Sequence, residues 1–574
     1  MRKQVYQILI ITIVFSIGST WAQERPNDTL DTNVINVVKP YEPSISDAFK
    51  VKEEPSLDDE VTTTKKDIQY NIFSFPVAST FTPAKGKAAV VDKEKPPKIY
   101  DNYASLGFGN YVNILGELYL NHAISRTESV GGYISHHSSQ GGIDGVFLDD
   151  SFYDTKLNVN YAQNLRDMAW NVELGGLHQS YNWYGVPKSI FEKSDVDRLP
   201  VLHEFYGAHV SGDISFEDSY ITSGSVFFRR FGDDRGSGEN RFKAKAAGNI
   251  PISDFEITTE LKIDYLGGSF DRSYYVDEEL KYGNFNVGLL PTYRLTQDDL
   301  TLDLGVSFYY LNDTEMGENK FYIYPNLSAS YRVVDEVLIA YGGIQGGLLQ
   351  NSYYDFAQEN PFVSPTLFIA PTDQQYNAFI GLKGKLSNSM GYNIKGAYVA
   401  ENNKALFLNN DVIATGESYT YGNSFGVVYD DVSTFSIGGE LSVDVSRNFT
   451  LGIQGEYFIY DVSDQREAWN LPDIKASLFM DYQINEKWFA GANLFYVGER
   501  KDYIFYPNLI QLFEGTVTLD SYFDLNAHVG YHITDRLSAY LKGNNLANQD
   551  YQRWQNFNVQ GIQLLGGVTY KFDF

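Results

Sequence analysis

The feature that most constrains this chain is a strict alternation of apolar and polar residues, carried through segment after segment from about Tyr103 to the C-terminus. In residues 300–310, Leu300, Leu302, Leu304, Val306, Phe308 and Tyr310 fall on one side, and Thr301, Asp303, Gly305, Ser307 and Tyr309 on the other. Residues 255–265 repeat the pattern, with Phe255, Ile257, Thr259, Leu261, Ile263 and Tyr265 opposed by Glu256, Thr258, Glu260, Lys262 and Asp264. Successive side chains of a strand point to opposite faces, so each segment offers one face suited to hydrocarbon and one suited to water. A charge facing the middle of a bilayer costs on the order of 2–4 kcal/mol. Glu256, Glu260, Lys262, Asp264 and Asp303 are therefore expected to line an aqueous lumen.

Short polar turns punctuate these segments at residues 125–127, 164–167, 216–218, 251–254, 297–299, 334–335, 387–389, 447–448, 485–486 and 534–535. Longer connections lie between them, at 181–202, 267–281, 351–374, 500–518 and 548–561. Tight turns on one rim and long loops on the other describe an antiparallel meander. With residues 423–445 read as one long strand, the count comes to about 22, an even number as a closed bacterial barrel requires. The expected fold class is all-β, a transmembrane antiparallel β-barrel over residues 101–574. Its short turns belong to the periplasmic rim and its long loops to the outside.

The N-terminus reads differently. Arg2 and Lys3 precede an apolar run at 8–17, and small residues around Ala22 follow, so residues 1–22 are expected to be a signal peptide cleaved after Ala22. Residues 23–100 carry Pro26, Pro40, Pro43, Pro55, Pro76, Pro83, Pro96 and Pro97 among charged and Thr-rich stretches, which predicts a mostly irregular periplasmic or lumenal segment. Within it, Asn33, Val34, Ile35, Val37 and Val38 have strand character and could pair with a partner or with the barrel interior.

Chemistry is sparse. The formal net charge of −28 repels nucleic acid, and the absence of cysteine excludes disulfides, thiolate metal sites and a cysteine nucleophile. There is no Gly-x-Ser-x-Gly elbow and no spacing that gathers Ser, His and Asp, so no enzyme, metal or cofactor is expected. His136 and His137 are neighbours and would face opposite ways in a strand; both are expected at a rim or in a loop. The lumenal carboxylates would draw cations if they formed a ring of like charge, or would simply make a polar interior if mixed. The aromatic stretch 351–362 is expected to pack among its own rings, and the acidic loops 192–197 and 271–279 to be solvated surface.

Residues 543–551, with Asn544, Asn545, Leu546 and Tyr551, are followed by a long loop and a terminal strand that ends on Tyr570, Phe572 and Phe574. This ending resembles that of TonB-dependent outer-membrane receptors. The resemblance implies an outer-membrane location, contact with lipid and lipopolysaccharide, and passage of a solute. Tyr570, Phe572 and Phe574 would then close the barrel and present its assembly signal to the barrel-assembly machinery. Residues 33–38 look like the short stretch with which such receptors engage TonB, which makes TonB or another periplasmic or envelope protein the implied partner. Residues 23–100 are too short and too proline-rich for a complete plug domain, so the plug is truncated or absent. That departure sustains a rival reading, a non-transporting structural or assembly component of the envelope that binds a partner through its N-terminal arm. Trp21, Ala22 and Gln23, with the abundance of Tyr, Asn and Asp, resemble proteins of the Bacteroidota.

Overall fold

The alternating segments pair into one antiparallel sheet of 22 strands that returns upon itself. The computed structural model describes residues 98–574 except 254, 415 and 508–511. The expected signal peptide, the segment 23–97 and the strand expected at Asn33, Val34, Ile35, Val37 and Val38 lie outside the described residues. The all-β barrel expected from the sequence is the fold observed. Each predicted tight turn joins two barrel strands on one rim, and the long strand read at 423–445 is Phe425–Ser446.

Closure is made by the first and last strands. Asn102–Gly109 pairs with Ile114–Ala123 on one side and with Gln563–Phe572 on the other, with Gly107 opposite Gly567. The buried Asn102 staples this seam, its Nδ2 donating to the Phe572 carbonyl (3.1 Å) and its Oδ1 accepting from the Asn121 N–H (2.8 Å). On the inner side the ring of Tyr540 lies across the seam, its hydroxyl 3.2 Å from Ser105 Oγ, which also accepts from Thr569 Oγ1 (3.2 Å). The ring needs glycine beneath it, because a Cβ on Gly567 would fall 2.4 Å from Tyr540 Cζ.

The outer face shows where the bilayer lies. On Phe425–Ser446 the outward residues Phe435, Ile437, Leu441, Val443 and Val445 are apolar, while Ser433 and the exposed Asp431 above them are polar. The run from Phe435 to Val445 matches the roughly 9–11 residues that a tilted strand needs to cross hydrocarbon. Inward neighbours on the same strand, Thr434 and Ser436, are buried. Aromatic pairs mark both interfaces. Tyr161–Trp170, Phe255–Tyr293, Phe449–Tyr482 and Trp488–Tyr531 sit near the tight turns, with ring centroids 5.3, 5.4, 5.5 and 4.8 Å apart. Tyr310–Phe321 and Tyr496–Phe523 sit at the opposite level, at 4.9 and 4.8 Å. Such rings place an apolar body in lipid and a polar edge at the headgroups. On the closing strand, Tyr570 stacks on Phe572 (5.9 Å), and Phe572 meets Phe574 edge-on (5.6 Å).

The wall is uneven. Strands Met390–Asn409 and Phe425–Ser446 run for 20 and 22 residues and rise well above the outer belt, whereas Asn102–Gly109 and Leu537–Asn544 have 8 each.

Overpacking the seam tests this account of closure. Gly567→Val is expected to destabilise the barrel by about 1–3 kcal/mol, read as a lower temperature at which the protein loses its folded-form mobility in detergent gels, with Gly566→Val on the outer face as the control.

Candidate functional site: a loop-built cap and the wall beneath it

Strand Phe255–Phe270 sets the inner wall as its alternation requires, with Phe255, Leu261 and Tyr265 exposed outward and the even-numbered residues inward. The inward carboxylates do not form a ring of like charge. Glu260 pairs with both Lys245 and Lys262 at 3.0 Å. Asp264 receives a two-pronged contact from Arg241, at 3.0 and 2.7 Å. Asp303 receives the same from Arg294, at 2.6 and 3.1 Å. Glu256 lies near the tight-turn rim and is exposed. Inside low-dielectric walls, carboxylates this close to guanidinium and ammonium groups are held as pairs, which cancels the field that unpaired acids would focus.

At the opposite end of the lumen, the outer loops fold together. Residues 183–201, 271–279, 350–371, 410–424 and 545–562 contribute to one buried apolar core that includes Trp183, Tyr274, Tyr353, Val363, Tyr419, Phe425 and Phe557. Its contacts span the mouth. Asn423, fully buried, donates to the carbonyls of Trp183 (2.7 Å) and Ser418 (2.9 Å). Phe362 stacks on Phe557 at 3.9 Å, and Gln560 donates to Ser139 Oγ and the Gly141 carbonyl, both at 2.8 Å. Where an irregular connection was expected at 500–518, two strands pair antiparallel, Arg500–Pro507 with Leu512–Leu519. Ile504 and Tyr506 of that hairpin pack on Val412.

The loop 350–371 reaches the barrel wall. It carries a short helix, Tyr353–Glu359, started by Ser352, whose hydroxyl accepts from the Asp355 N–H (3.1 Å). The expectation that the rings of 351–362 pack on each other is not met. Tyr353 packs on Phe205, Phe231 and Phe270, Phe356 on Phe407, and Phe362 on Tyr181, Tyr184 and Phe557. Adjacent side chains on a helix point about 100° apart, so each ring meets a different part of the surroundings. The inner wall holds the helix through charge. Glu239 Oε2 accepts from the Tyr353 N–H (2.6 Å) and Tyr282 OH (3.0 Å), and its Oε1 faces Arg229 Nη2 (3.3 Å). Arg241 Nη1 donates to Asp355 (3.0 Å), and Tyr353 OH donates to Asp233 (2.7 Å). On the far side, Gln358 and Gln179 exchange hydrogen bonds at 2.6 and 3.3 Å.

Other residues singled out in the sequence lie around this cap. His136 and His137 stand near the outer end of strand Glu128–Ser139, not in a loop, and point opposite ways: His136 to Thr155 Oγ1 (2.7 Å), His137 to the ring of Phe152 (5.1 Å). Of the acidic loops, Glu192 caps the short helix Lys193–Val196, and Glu417 receives Arg272 at 3.0 Å. Among the described residues no group of three or more His, Asp or Glu side chains could hold a metal ion.

One carboxyl of the cap is out of its ordinary range. Asp502, fully buried in the hairpin, is pushed up to about 7 by burial, against the pull of the Asn409 N–H (3.0 Å), the Tyr503 N–H (2.8 Å) and the Arg500 charge. A carboxyl whose folded value lies above its unfolded one favours the folded state while protonated, so its contribution falls as pH rises toward 7. The hairpin is expected to exchange amide hydrogens faster at pH 8 than at pH 5 after correction for intrinsic rates, and Asp502→Asn to flatten that dependence. Removing Glu239 tests the helix dock. Glu239→Ala strands Arg229 in the interior, and the loss of about 3–5 kcal/mol expected for a broken buried pair should appear as faster proteolysis within residues 350–371.

A closed 22-stranded antiparallel barrel with an apolar belt and a loop-built outer end is the fold of outer-membrane receptors. No protein-family profile and no curated protein matches the chain. Solved structures do. The pyoverdine outer-membrane receptor FpvA from Pseudomonas aeruginosa superposes with a TM-score of 0.61 at 13% identity, over 84% of this chain and 80% of that one. The siderophore receptor PirA from Acinetobacter baumannii gives 0.60 at 11%, over 84% and 81%. The copper transporter OprC gives 0.59 at 13%, over 83% and 82%.

Proposed function

We propose that this chain is an outer-membrane receptor-like barrel that passes a solute inward, with the loop-built cap as its gate. The observation that carries this reading is the closed barrel with a polar, charge-paired inner wall, in the fold shared with receptors for siderophores and a copper transporter. A matched pair such as Asp303 with Arg294 lets polar solutes pass without a net field that would trap ions of one sign. Glu256, Glu260, Lys262, Asp264 and Asp303 line this path in the proposal. Residues 1–22 act as the export signal, and residues 23–100 stand in the periplasm or lumen in place of a complete plug. Asn33, Val34, Ile35, Val37 and Val38 are the contact with TonB or another envelope protein. Tyr570, Phe572 and Phe574 are the signal read during barrel assembly.

Conductance across planar bilayers tests passage. The intact protein should be closed, and a form in which residues 353–359 are replaced by a Gly-Ser stretch of equal length should open discrete steps. A barrel that stays silent in the intact form, in the replaced form and after removal of residues 23–97 sinks the reading.

A further inference from the structure

The helix Tyr353–Glu359 touches the wall in an unusual way for a structural plug. Two adjacent residues of the helix present an aromatic face and a carboxylate to two arginines. The guanidinium of Arg229 lies 3.7 Å from the centroid of the Tyr354 ring, and Arg241 Nη1 lies 3.0 Å from Asp355 Oδ2. Both arginines are more than nine-tenths buried. Arg229 keeps a buried Nε with no acceptor, and the buried Asn286 keeps a free Oδ1, so the wall holds more hydrogen-bonding capacity than the helix uses. Lys243 follows on the same inward row, 5.8 Å from the Phe227 ring centroid. Burying two guanidiniums at a surface that is merely to be packed against costs desolvation that apolar residues would avoid. A guanidinium whose face is covered by a ring, beside one that is forked to its own wall carboxylate Asp264 and still donates Nη1 to a second carboxylate, can receive an anion next to an aromatic ring.

We infer that the wall at Arg229 and Arg241 is a binding site for a solute bearing an aromatic ring next to an anionic group, and that Tyr354 and Asp355 occupy it as an internal stand-in. This inference rests on the cap being a gate and deepens that reading. The entering solute takes over the arginine contacts, and the helix yields them. Glu239 and Asp264 stay on the wall and keep it from becoming a general anion trap.

Calorimetry on purified barrels decides the matter, with phenyl phosphate as probe, benzyl alcohol as the neutral aromatic control and inorganic phosphate as the non-aromatic anion. The protein with residues 353–359 replaced by a Gly-Ser stretch should bind phenyl phosphate at least about tenfold more tightly than the intact protein. Arg229→Gln with Arg241→Gln in that background should remove the gain. Folding of each form is checked by its mobility in detergent gels. Should the replaced form fail that check, Tyr354→Ala with Asp355→Ala in the otherwise intact loop gives the same comparison. Equal affinity with and without the stand-in, a gain that survives loss of both arginines, or equal binding of either control overturns the inference. A form that conducts in bilayers without binding the probe sinks the site alone, and one that binds without conducting sinks passage alone.

Discussion

Hydrocarbon offers no hydrogen-bond partner to a peptide group, and the rest of this molecule follows from that. A sheet that crosses a bilayer must pair every strand on both sides, so the strand that begins at Asn102 has to find the one that ends at Phe572. The seam receives specific reinforcement: a buried asparagine bonded to both neighbours of its own strand, and a tyrosine laid over glycine. Once the sheet is closed, its two faces see different solvents. The outer one is apolar between two aromatic belts, and the inner one pairs charges such as Asp303 with Arg294 and Asp264 with Arg241, because the surrounding wall is poorly polarisable.

Above the outer belt the constraint lifts, and the chain uses the freedom to build a second core. Its rings come from loops separated by hundreds of residues, and its polar anchors come from the outer ends of the barrel strands. Wall and cap are therefore one construction. Glu239 belongs to a barrel strand by its backbone and to the cap by its side chain, which accepts the Tyr353 N–H and Tyr282 OH.

Much of the barrel was legible in the sequence. Strand 300–313 could be read from alternation because each residue's environment depends on its own parity, and the tight turns could be read from their polar, short composition. The long strand Phe425–Ser446 followed from requiring the turn at 447–448 to share a rim with the others. Pairing was not legible. Whether Asp264 faces an open lumen or a guanidinium depends on register with the preceding strand, where Arg241 lies one step diagonally away. The cap was hidden for a stronger reason. Asn423 and Trp183, or Phe362 and Phe557, meet only because closure brings distant loops over one mouth, and no local pattern encodes that. The loops 140–151 and 410–424 carry few of the marks that singled out the others, yet Leu148 and Tyr419 belong to the same core.

The stack of Phe362 on Phe557 also orders events in time. Phe557 lies within the last few strands of the chain, so its partner waits with an open flank until nearly all the polypeptide has been delivered. Contacts of such long sequence separation form late, after local hairpins have reduced the loop-closure entropy they face. During biogenesis the earlier strands therefore stand without this part of their roof until the last loop has been delivered.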